Sequence, residues 1–192
     1  MRDLVVIEYL SLDGVAQAPG HLGEDPAGGF DHGGWAATHF DDHRRYGVPV
    51  YERASAFLFG RLTYQLWRAH WPKVTDPGDR IAGPLNDRPK YVVSTTLAEA
   101  SWPGTTVIRD RVAETVASLK QDSGGDIVVP GSTALAHTLM AHHLVDRYHL
   151  WLHPVVLGGG KHLFATGTPR ADLRLVDAVV TGTGLVILTY ES

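Results

Sequence analysis

The sequence of 192 residues contains no cysteine. Disulfide bonds, thiolate metal sites and a cysteine nucleophile are therefore excluded, and the composition fits a cytoplasmic protein. The sequence also lacks a long apolar run, because the run that begins at Leu4 is interrupted by Asp13 and Gly14, too early for a signal peptide or a membrane span. The net charge of -4 provides no basic field. We therefore expect neither nucleic acid nor a membrane as a partner.

Several common catalytic motifs are missing as well. The sequence has no Rossmann G-x-G-x-x-G, no Walker loop, no H-E-x-x-H and no G-x-S-x-G. Histidine is abundant, with 11 residues, and His39 and His43 have the i,i+4 spacing of a metal-binding helix, with Asp42 beside them. A metal-dependent hydrolase is therefore one alternative. Because the pair lacks a convincing third ligand, we predict no functional metal site.

The remaining composition is that of one soluble globular domain. Hydrophobic residues make up 44% of the chain and charged residues 20%, which are ordinary values. A chain of this length can bury a core of its own, and it contains no repeat, low-complexity tract or linker. Residues 1–192 are therefore predicted to form a single domain.

Apolar runs alternate with helix-like segments along the chain. This alternation predicts an α/β fold with a mainly parallel sheet flanked by helices. The last two predicted strands have no clear helix between them, so we expect an antiparallel hairpin at the C-terminal edge. The long polar segment 15–34 is a candidate binding loop or lid, and 74–89 is a second polar connection. The predicted strands are residues 4–10, 54–59, 91–95, 106–109, 126–129, 146–153 and 185–190, and the predicted helices are residues 35–46, 61–70, 112–121 and 132–143.

Residues 126–143 have the pattern of a strand, a glycine turn and a capped helix. Pro130 and Gly131 end the β-branched run, and Ser132 and Thr133 stand where a helix needs an N-cap. This arrangement directs free backbone N–H groups and the positive end of a helix dipole towards an anion. The alternative is an ordinary strand-to-helix turn, with Gly131 present for its backbone angles.

A second glycine-led helix start follows another predicted strand. Gly60 precedes Arg61, which can bind a phosphate with two hydrogen bonds, and Thr63, which can donate one from the first turn. An exposed arginine beside a helix cap is the alternative. Two such sites in one α/β domain fit an extended ligand with several phosphates better than either site fits alone.

Three further residues are candidates for contact with a substrate. Asp13 follows the first strand, at the edge where open α/β sheets bind ligands, although an aspartate before Gly14 is equally typical of a turn. Trp35 and Trp67 lie close in sequence to the candidate loops, although a helical tryptophan more often packs in the core.

Five short segments, in order along the chain, resemble the dihydrofolate-reductase-like fold and, more closely, the family of the reductase domain of the riboflavin-biosynthesis protein RibD. The resemblance implies a cytoplasmic, homodimeric reductase that takes a hydride from NADPH and acts on a small heterocycle, as 5-amino-6-(5-phosphoribosylamino)uracil reductase or dihydrofolate reductase does. The segments are SLDG at 11–14, FGRLTY at 59–64, VVST at 92–95, PGSTALAHTL at 130–139 and HPVVLGGGKHLF at 153–164.

The resemblance also implies roles for single residues. The cofactor would be held at four places along the chain, the substrate would face the second family helix, and Asp13 is the candidate catalytic residue. Gly14 and Val15 would lie near the nicotinamide. Gly60, Arg61 and Thr63 would hold a phosphate, Ser94 and Thr95 would hold the adenosine ribose phosphate, and Gly131, Ser132, Thr133 and Ala134 would hold the pyrophosphate. Trp67 would face the substrate, and Trp35 is expected beside it from its place near the strand ends.

The chain departs from the family in the loop 19–34, which is rich in histidine and glycine and occupies the region that shapes the substrate pocket. The riboflavin precursor is therefore not assumed to be the substrate. A non-catalytic nucleotide-binding module, which keeps the cofactor cleft without the chemistry, is the second alternative.

Overall fold

The computed structural model describes all residues, 1–192, and contains eight strands and five α-helices. Short 3-10 turns occur at Ala27–Gly29, Ala37–His39 and Trp71–Lys73. None of the helices is long and apolar enough to cross a membrane. The strands are β1 (Leu4–Ser11), β2 (Ala54–Gly60), β3 (Lys90–Val93), β4 (Thr105–Ile108), β5 (Asp126–Pro130), β6 (Arg147–His153), β7 (Arg174–Val180) and β8 (Val186–Glu191), and the helices are α1 (Phe40–Arg53), α2 (Arg61–His70), α3 (Ala82–Asp87), α4 (Val112–Gln121) and α5 (Thr133–Ala141).

The eight strands form one sheet in the order β4-β3-β2-β5-β1-β6-β8-β7. The first six positions in this order are parallel, and β8 pairs antiparallel with both β6 and β7. The predicted fold class is therefore confirmed. The hairpin differs in one respect, because its outer strand is β7, which the sequence analysis did not find. This edge strand is exposed at nearly every position and so has no alternation of apolar and polar residues.

The first long helix also differs from its prediction. Helix α1 begins at Phe40 and runs to Arg53, so that it passes through Gly47 and Pro49, where the sequence analysis ended it. A proline inside a helix removes one backbone hydrogen bond. Packing outweighs this loss here, because Val50 and Tyr51, one and two residues further on, are buried in the core.

The polar connection 74–89 contains a helix that was not predicted, α3. The carboxylate of Asp79 accepts hydrogen bonds from the backbone N–H groups of Ile81 and Ala82, both at 2.9 Å. These bonds satisfy two donors that have no partner inside the first turn of the helix. The buried side chains of Ala82 and Leu85 then attach the short helix to the core.

Both faces of the sheet carry a hydrophobic core of similar size. One cluster has 17 buried residues and lies under α4 and α5, and the other has 16 and lies under α1, α2 and α3. The alternation along β1 divides its side chains between the two, since Leu4 and Val6 belong to the first and Val5 and Ile7 to the second. Because both faces are covered, the central strands are continuous apolar runs.

Candidate functional site

The carboxyl ends of β3, β2, β5 and β1 are neighbours along one edge of the sheet, because these four parallel strands are consecutive in its order. The loops and helix starts that follow them therefore meet at this edge. Every segment predicted to bind the cofactor follows one of these four strands. In open α/β sheets, this is the edge where ligands bind.

The two glycine-led helix starts are in direct contact. The backbone N–H of Gly60, before α2, donates a hydrogen bond of 2.9 Å to Oγ of Ser132, before α5. A Cβ atom at Gly60 would lie 3.4 Å from Cβ of Ser132, closer than most such contacts. Glycine at position 60 thus allows the two turns to approach each other, and the two helix N-termini lie side by side at this edge. The space in front of them is called the cleft below.

The turn before α5 needs glycine for a different reason. Gly131 and Ser132 both have left-handed backbone angles, with φ of 57° and 67°. A Cβ at Gly131 would contact only Thr63 of α2, at 3.7 Å. Thr63 of one candidate phosphate turn therefore lies beside Gly131 of the other.

The hydroxyl of Ser132 does not cap its own helix, contrary to the sequence-based expectation. It accepts the hydrogen bond from Gly60 and donates to the carbonyl oxygen of Pro130 at 3.3 Å. Neither α2 nor α5 has a side-chain cap at its N-terminus. The first-turn N–H groups, which have no partner within a helix, are thus left without a side-chain acceptor in both. This donor set suits the oxygens of a phosphate.

Arg61, Ser94 and Thr95 lie on the neighbouring strand ends, because Gly60 pairs with Val93 across β2 and β3. Arg61 is exposed and is held only by a hydrogen bond of 2.9 Å to Oε1 of Gln65, one turn along α2. Oγ of Ser94 accepts the N–H groups of residues 96 and 97, which leaves its hydroxyl proton for a ligand. Thr95 is exposed. The three side chains thus offer an arginine and two hydroxyls beside the α2 start.

Gly14 and Val15 lie in the loop that follows β1. Gly14 has a φ of 81°, and Val15 is fully buried and forms an isolated bridge with His162. The N–H of Val15 donates to Oγ of Ser11. A ligand in the cleft would therefore meet the backbone of this segment and not the side chain of Val15.

Asp13 holds a neighbouring loop in place. Its carboxylate accepts hydrogen bonds from Oγ of Ser11 at 2.7 Å and from the N–H groups of Leu157 and Gly158 at 3.1 and 2.7 Å. These bonds lower the pKa of Asp13 to about 2. Near neutral pH the residue is an ionised acceptor, and the geometry favours a positioning role over proton donation.

A buried glutamate, Glu8, was missed by the sequence analysis. It belongs to β1, is 2% exposed, and accepts a hydrogen bond from Oγ1 of Thr133 in the first turn of α5 at 3.3 Å. Burial raises the pKa of Glu8 to about 8, against a lowering by the bond from Thr133. The signal was present in the sequence, because a single acidic residue interrupts an otherwise apolar strand.

A histidine pair lies on the opposite face of the sheet. Nε2 of His43 is 2.8 Å from Nε2 of His153, and Nδ1 of His153 is 2.9 Å from the carbonyl oxygen of Trp151. Nδ1 of His153 therefore carries its proton, and His43 is the donor between the two rings. The ring of Tyr9 stacks on His43 with 4.0 Å between centroids. This cluster was not predicted, because its two histidines are 110 positions apart.

Both rings of the pair are neutral near pH 7. Burial lowers the pKa of His43 to about 3 and that of His153 to about 4. His39, four residues before His43, has its ring 5.1 Å from that of His153. No set of three histidine, aspartate or glutamate side chains has the arrangement of a metal site.

The two tryptophans assigned to the substrate lie in different surroundings. Trp67 is half-buried and packs on Phe59 and Trp71, with centroids 5.6 and 5.7 Å away. Trp35 donates its indole N–H to the carbonyl oxygen of Gln17 at 2.8 Å, and its ring lies 5.1 Å from His153. Trp35 thus belongs with the histidine pair, and Trp67, on α2, packs against the hydrophobic core.

The loop 15–34 is anchored by one buried side chain. Gln17, which is 3% exposed, donates to the carbonyl oxygens of Asp25 and Ala27 and accepts the N–H of Lys161. Nζ of Lys161 is 2.5 Å from the carboxylate of Asp25. These contacts join the long loop to the glycine-rich segment that follows β6, so that both cover the end of β1.

An eight-stranded, mainly parallel sheet with an antiparallel edge and helices on both faces has the dihydrofolate-reductase-like fold, which the solved structures named below share. The family model described as the RibD C-terminal domain matches residues 3–187, and the chain belongs to that family. The expected resemblance is thereby confirmed.

Individual proteins agree with this assignment. The uncharacterised protein YyaP of Bacillus subtilis (strain 168) is 35% identical over 136 residues, which are 70% of this chain and 72% of that protein. A riboflavin biosynthesis protein candidate from Shewanella sp. PV-4 has a TM-score of 0.68 at 19% identity, with 98% of each chain covered. Dihydrofolate reductase from Enterococcus faecalis, solved with NADP(H), has a TM-score of 0.61 at 15% identity, with 98% of this chain and 95% of that chain covered.

Proposed function

We propose that this protein is an NADPH-dependent reductase of a small heterocyclic substrate. The observation that carries the proposal is the contact between the two helix starts, where the N–H of Gly60 binds Oγ of Ser132. The contact places two sets of N–H donors and two positive dipole ends around one cleft. A ligand with several phosphates, such as a dinucleotide, fits this donor set.

The preference for NADPH over NADH follows from the exposed arginine at the α2 start. Arg61 has no acidic partner in the structure, so its charge is available to the extra phosphate of NADPH. Ser94 and Thr95 supply hydroxyl donors on the next strand end. Charge-assisted hydrogen bonds to phosphate are stronger than neutral ones, and Arg forms them in pairs.

Family membership supports a reductase-type activity for this cleft. When bound, NADPH would supply a hydride from its reduced nicotinamide ring. The chain's own residues would bind and orient the dinucleotide through the α2 and α5 starts. The loop held by Gln17 and the loop held by Asp13 would exclude water from the end of β1.

The substrate would lie on the side of the sheet covered by α1 and α2, where aromatic rings provide flat apolar walls. Tyr9 and Trp35 pack against the histidine pair, and Trp67 lies on α2. A planar heterocycle of the pterin or pyrimidine kind fits such walls, because aromatic faces stack on one another. A homodimer remains part of the proposal as the assembly implied by the family.

The engagement of Asp13 favours one alternative, a nucleotide-binding module without catalysis. The three hydrogen bonds to its carboxylate leave the proposed catalytic residue committed to loop structure. Such a module would bind NADPH as tightly as a reductase would. It would oxidise NADPH with none of the heterocycles tested.

The experiment is a thermal-shift titration with NADPH and NADH, followed by an NADPH-oxidation assay with folates and flavin precursors. Binding should raise the melting temperature by mass action, more for NADPH than for NADH. The variant Gly131→Val should lose the shift. Gly167→Val is the matched control, because Gly167 also has a positive φ, at 91°, and nothing within 4 Å of a Cβ. A wild-type protein that shifts with neither cofactor would contradict the proposal.

A further inference from the structure

We propose that Glu8 is a cofactor-binding residue, whose carboxyl group forms a hydrogen bond with an oxygen in the pyrophosphate–nicotinamide half of the dinucleotide. The assignment rests on the proposed function. It concerns a residue that neither the motifs nor the family resemblance singled out.

The position of Glu8 in the sheet directs its side chain to the α5 start. The last residue of β1 that pairs with β5 is Ile7, opposite Pro130, and Glu8 is the next residue along β1. Its side chain lies on the face of Leu4 and Val6, which α5 covers. Glu8 therefore lies where β5 ends and the turn to α5 begins.

The carboxyl group is only half satisfied by the protein. Oε1 accepts the hydroxyl of Thr133 at 3.3 Å, whereas Oε2 makes no hydrogen bond within the chain and is not among the fully enclosed polar atoms. Glu8 is nevertheless 98% buried, with 2% of its surface exposed. The accessible part of the side chain is thus the oxygen that has no partner, and a ligand at the α5 start can reach it.

No positive charge compensates Glu8. The neighbouring strands present the apolar residues Leu150 of β6 and Pro130 of β5, and α5 presents the hydroxyl of Thr133. The charged group that acts on Glu8 is the carboxylate of Glu24 in the loop 15–34. Burial and Glu24 both raise the pKa of Glu8, to about 8. The side chain is therefore a neutral acid at pH 7.

A neutral acid and a carboxylate have opposite effects beside a cofactor that carries phosphate charges. The acid has one O–H donor, so Oε2 can bond an oxygen of the ligand. The carboxylate accepts only and would repel the phosphates. The dinucleotide should therefore bind the protonated form of the protein, and its apparent affinity should fall with the fraction of Glu8 that is neutral.

The test is the affinity of NADPH, measured by fluorescence titration of the intact protein at pH 7 and pH 9. With a pKa of about 8, the neutral fraction falls from about nine-tenths to about one-tenth, so the wild-type affinity should weaken about 10-fold. Glu8→Gln keeps a neutral donor of the same size, and its affinity should stay constant between the two pH values. Glu8→Ala removes the donor and should weaken binding at pH 7 by about 2- to 12-fold.

Two controls separate Glu8 from other titrating groups. The ligand 2′,5′-ADP lacks the pyrophosphate–nicotinamide half, so its affinity should change equally with pH in the wild type and in Glu8→Gln. Burial also lowers the pKa of Lys90 to about 8, but Lys90 begins β3, at the opposite edge of the sheet from the cleft. Its effect is common to the wild type and Glu8→Gln and cancels in the comparison.

The possible results lead to different conclusions. If Glu8→Gln weakens with pH as the wild type does, or if folded Glu8→Ala binds NADPH like the wild type at pH 7, the assignment is overturned while the proposed function stands. Thermal melts without ligand establish that Glu8→Ala is folded. If the wild type binds NADPH at neither pH, the proposed function fails and the assignment fails with it. A constant affinity in Glu8→Gln with a 10-fold change in the wild type supports both.

Discussion

The three histidines buried in the core should make the protein sensitive to mild acid. His43, His149 and His153 are 7%, 8% and 0% exposed, and burial lowers their pKa values from 6.5 to about 3, 4 and 4. The folded state therefore holds them neutral at a pH where the unfolded chain takes up protons. Their contribution to stability is complete above pH 6.5 and is lost as the pH falls towards 4.

The size of this effect follows from the pKa differences. At pH 5 each histidine favours the unfolded state by about 2 kcal/mol relative to pH 7.5, since each pKa unit corresponds to about 1.4 kcal/mol. Three residues together give about 6 kcal/mol, which is comparable with the whole stability of a typical domain. Glu8 acts in the opposite direction, because its folded pKa of about 8 lies above the 4.5 of a free glutamate, so stability from this residue rises as the pH falls from 8 to 4.5.

The contribution of Glu8 is the same in the wild type and in a histidine variant, so it cancels when their losses of stability are compared. We expect His43→Gln, whose amide can still donate to His153, to lose about 2 kcal/mol less than the wild type between pH 7.5 and pH 5. The assay is urea unfolding at both pH values, and the quantity is the change in the free energy of unfolding. His142→Gln is the control, because His142 is exposed at the end of α5. Equal losses in His43→Gln and the wild type, or a reduced loss in His142→Gln, would refute the reasoning.

The remaining predictions concern ligands. Arg61→Ala should remove most of the preference for NADPH over NADH, a change of about 10- to 150-fold in relative affinity by titration. Equal affinities of the wild type for the two cofactors would contradict the proposed contact of Arg61 with the extra phosphate. EDTA should change neither the melting temperature nor NADPH binding, and stoichiometric zinc held by His39 and His43 in purified, untagged protein would contradict this. Trp67→Ala should weaken the binding of a planar heterocycle such as dihydrofolate and leave the affinity for NADPH nearly intact, whereas Gly131→Val should block NADPH. An equal loss of both ligands in Trp67→Ala would argue against contact between Trp67 and the substrate.

Several elements, including those next to the cofactor candidates, could be predicted from local pattern. The run 126–129 became β5, and the helix predicted at 112–121 has the bounds of α4. The glycine-led starts at Gly60 and Gly131 were also recognisable, because a strand, a glycine and a helix leave few alternatives for the backbone. Prediction from local pattern fails for elements without a clear alternation of apolar and polar residues, such as the exposed edge strand β7.

The sequence by itself determined the fold class, the alternation of strands and helices, and the two turns suited to phosphate, since each depends on residues close together in the chain. Only the tertiary structure decided the rest. Sheet order brought Gly60 to Ser132, 72 positions away, and His43 to His153, 110 positions away. Burial then decided the charge of Glu8, and the N–H groups of Leu157 and Gly158 added to the lowering of the Asp13 pKa, which owes most to the nearby hydroxyl of Ser11. Contacts and desolvation of this kind arise between segments that the chain brings together only on folding, and so no local pattern contains them.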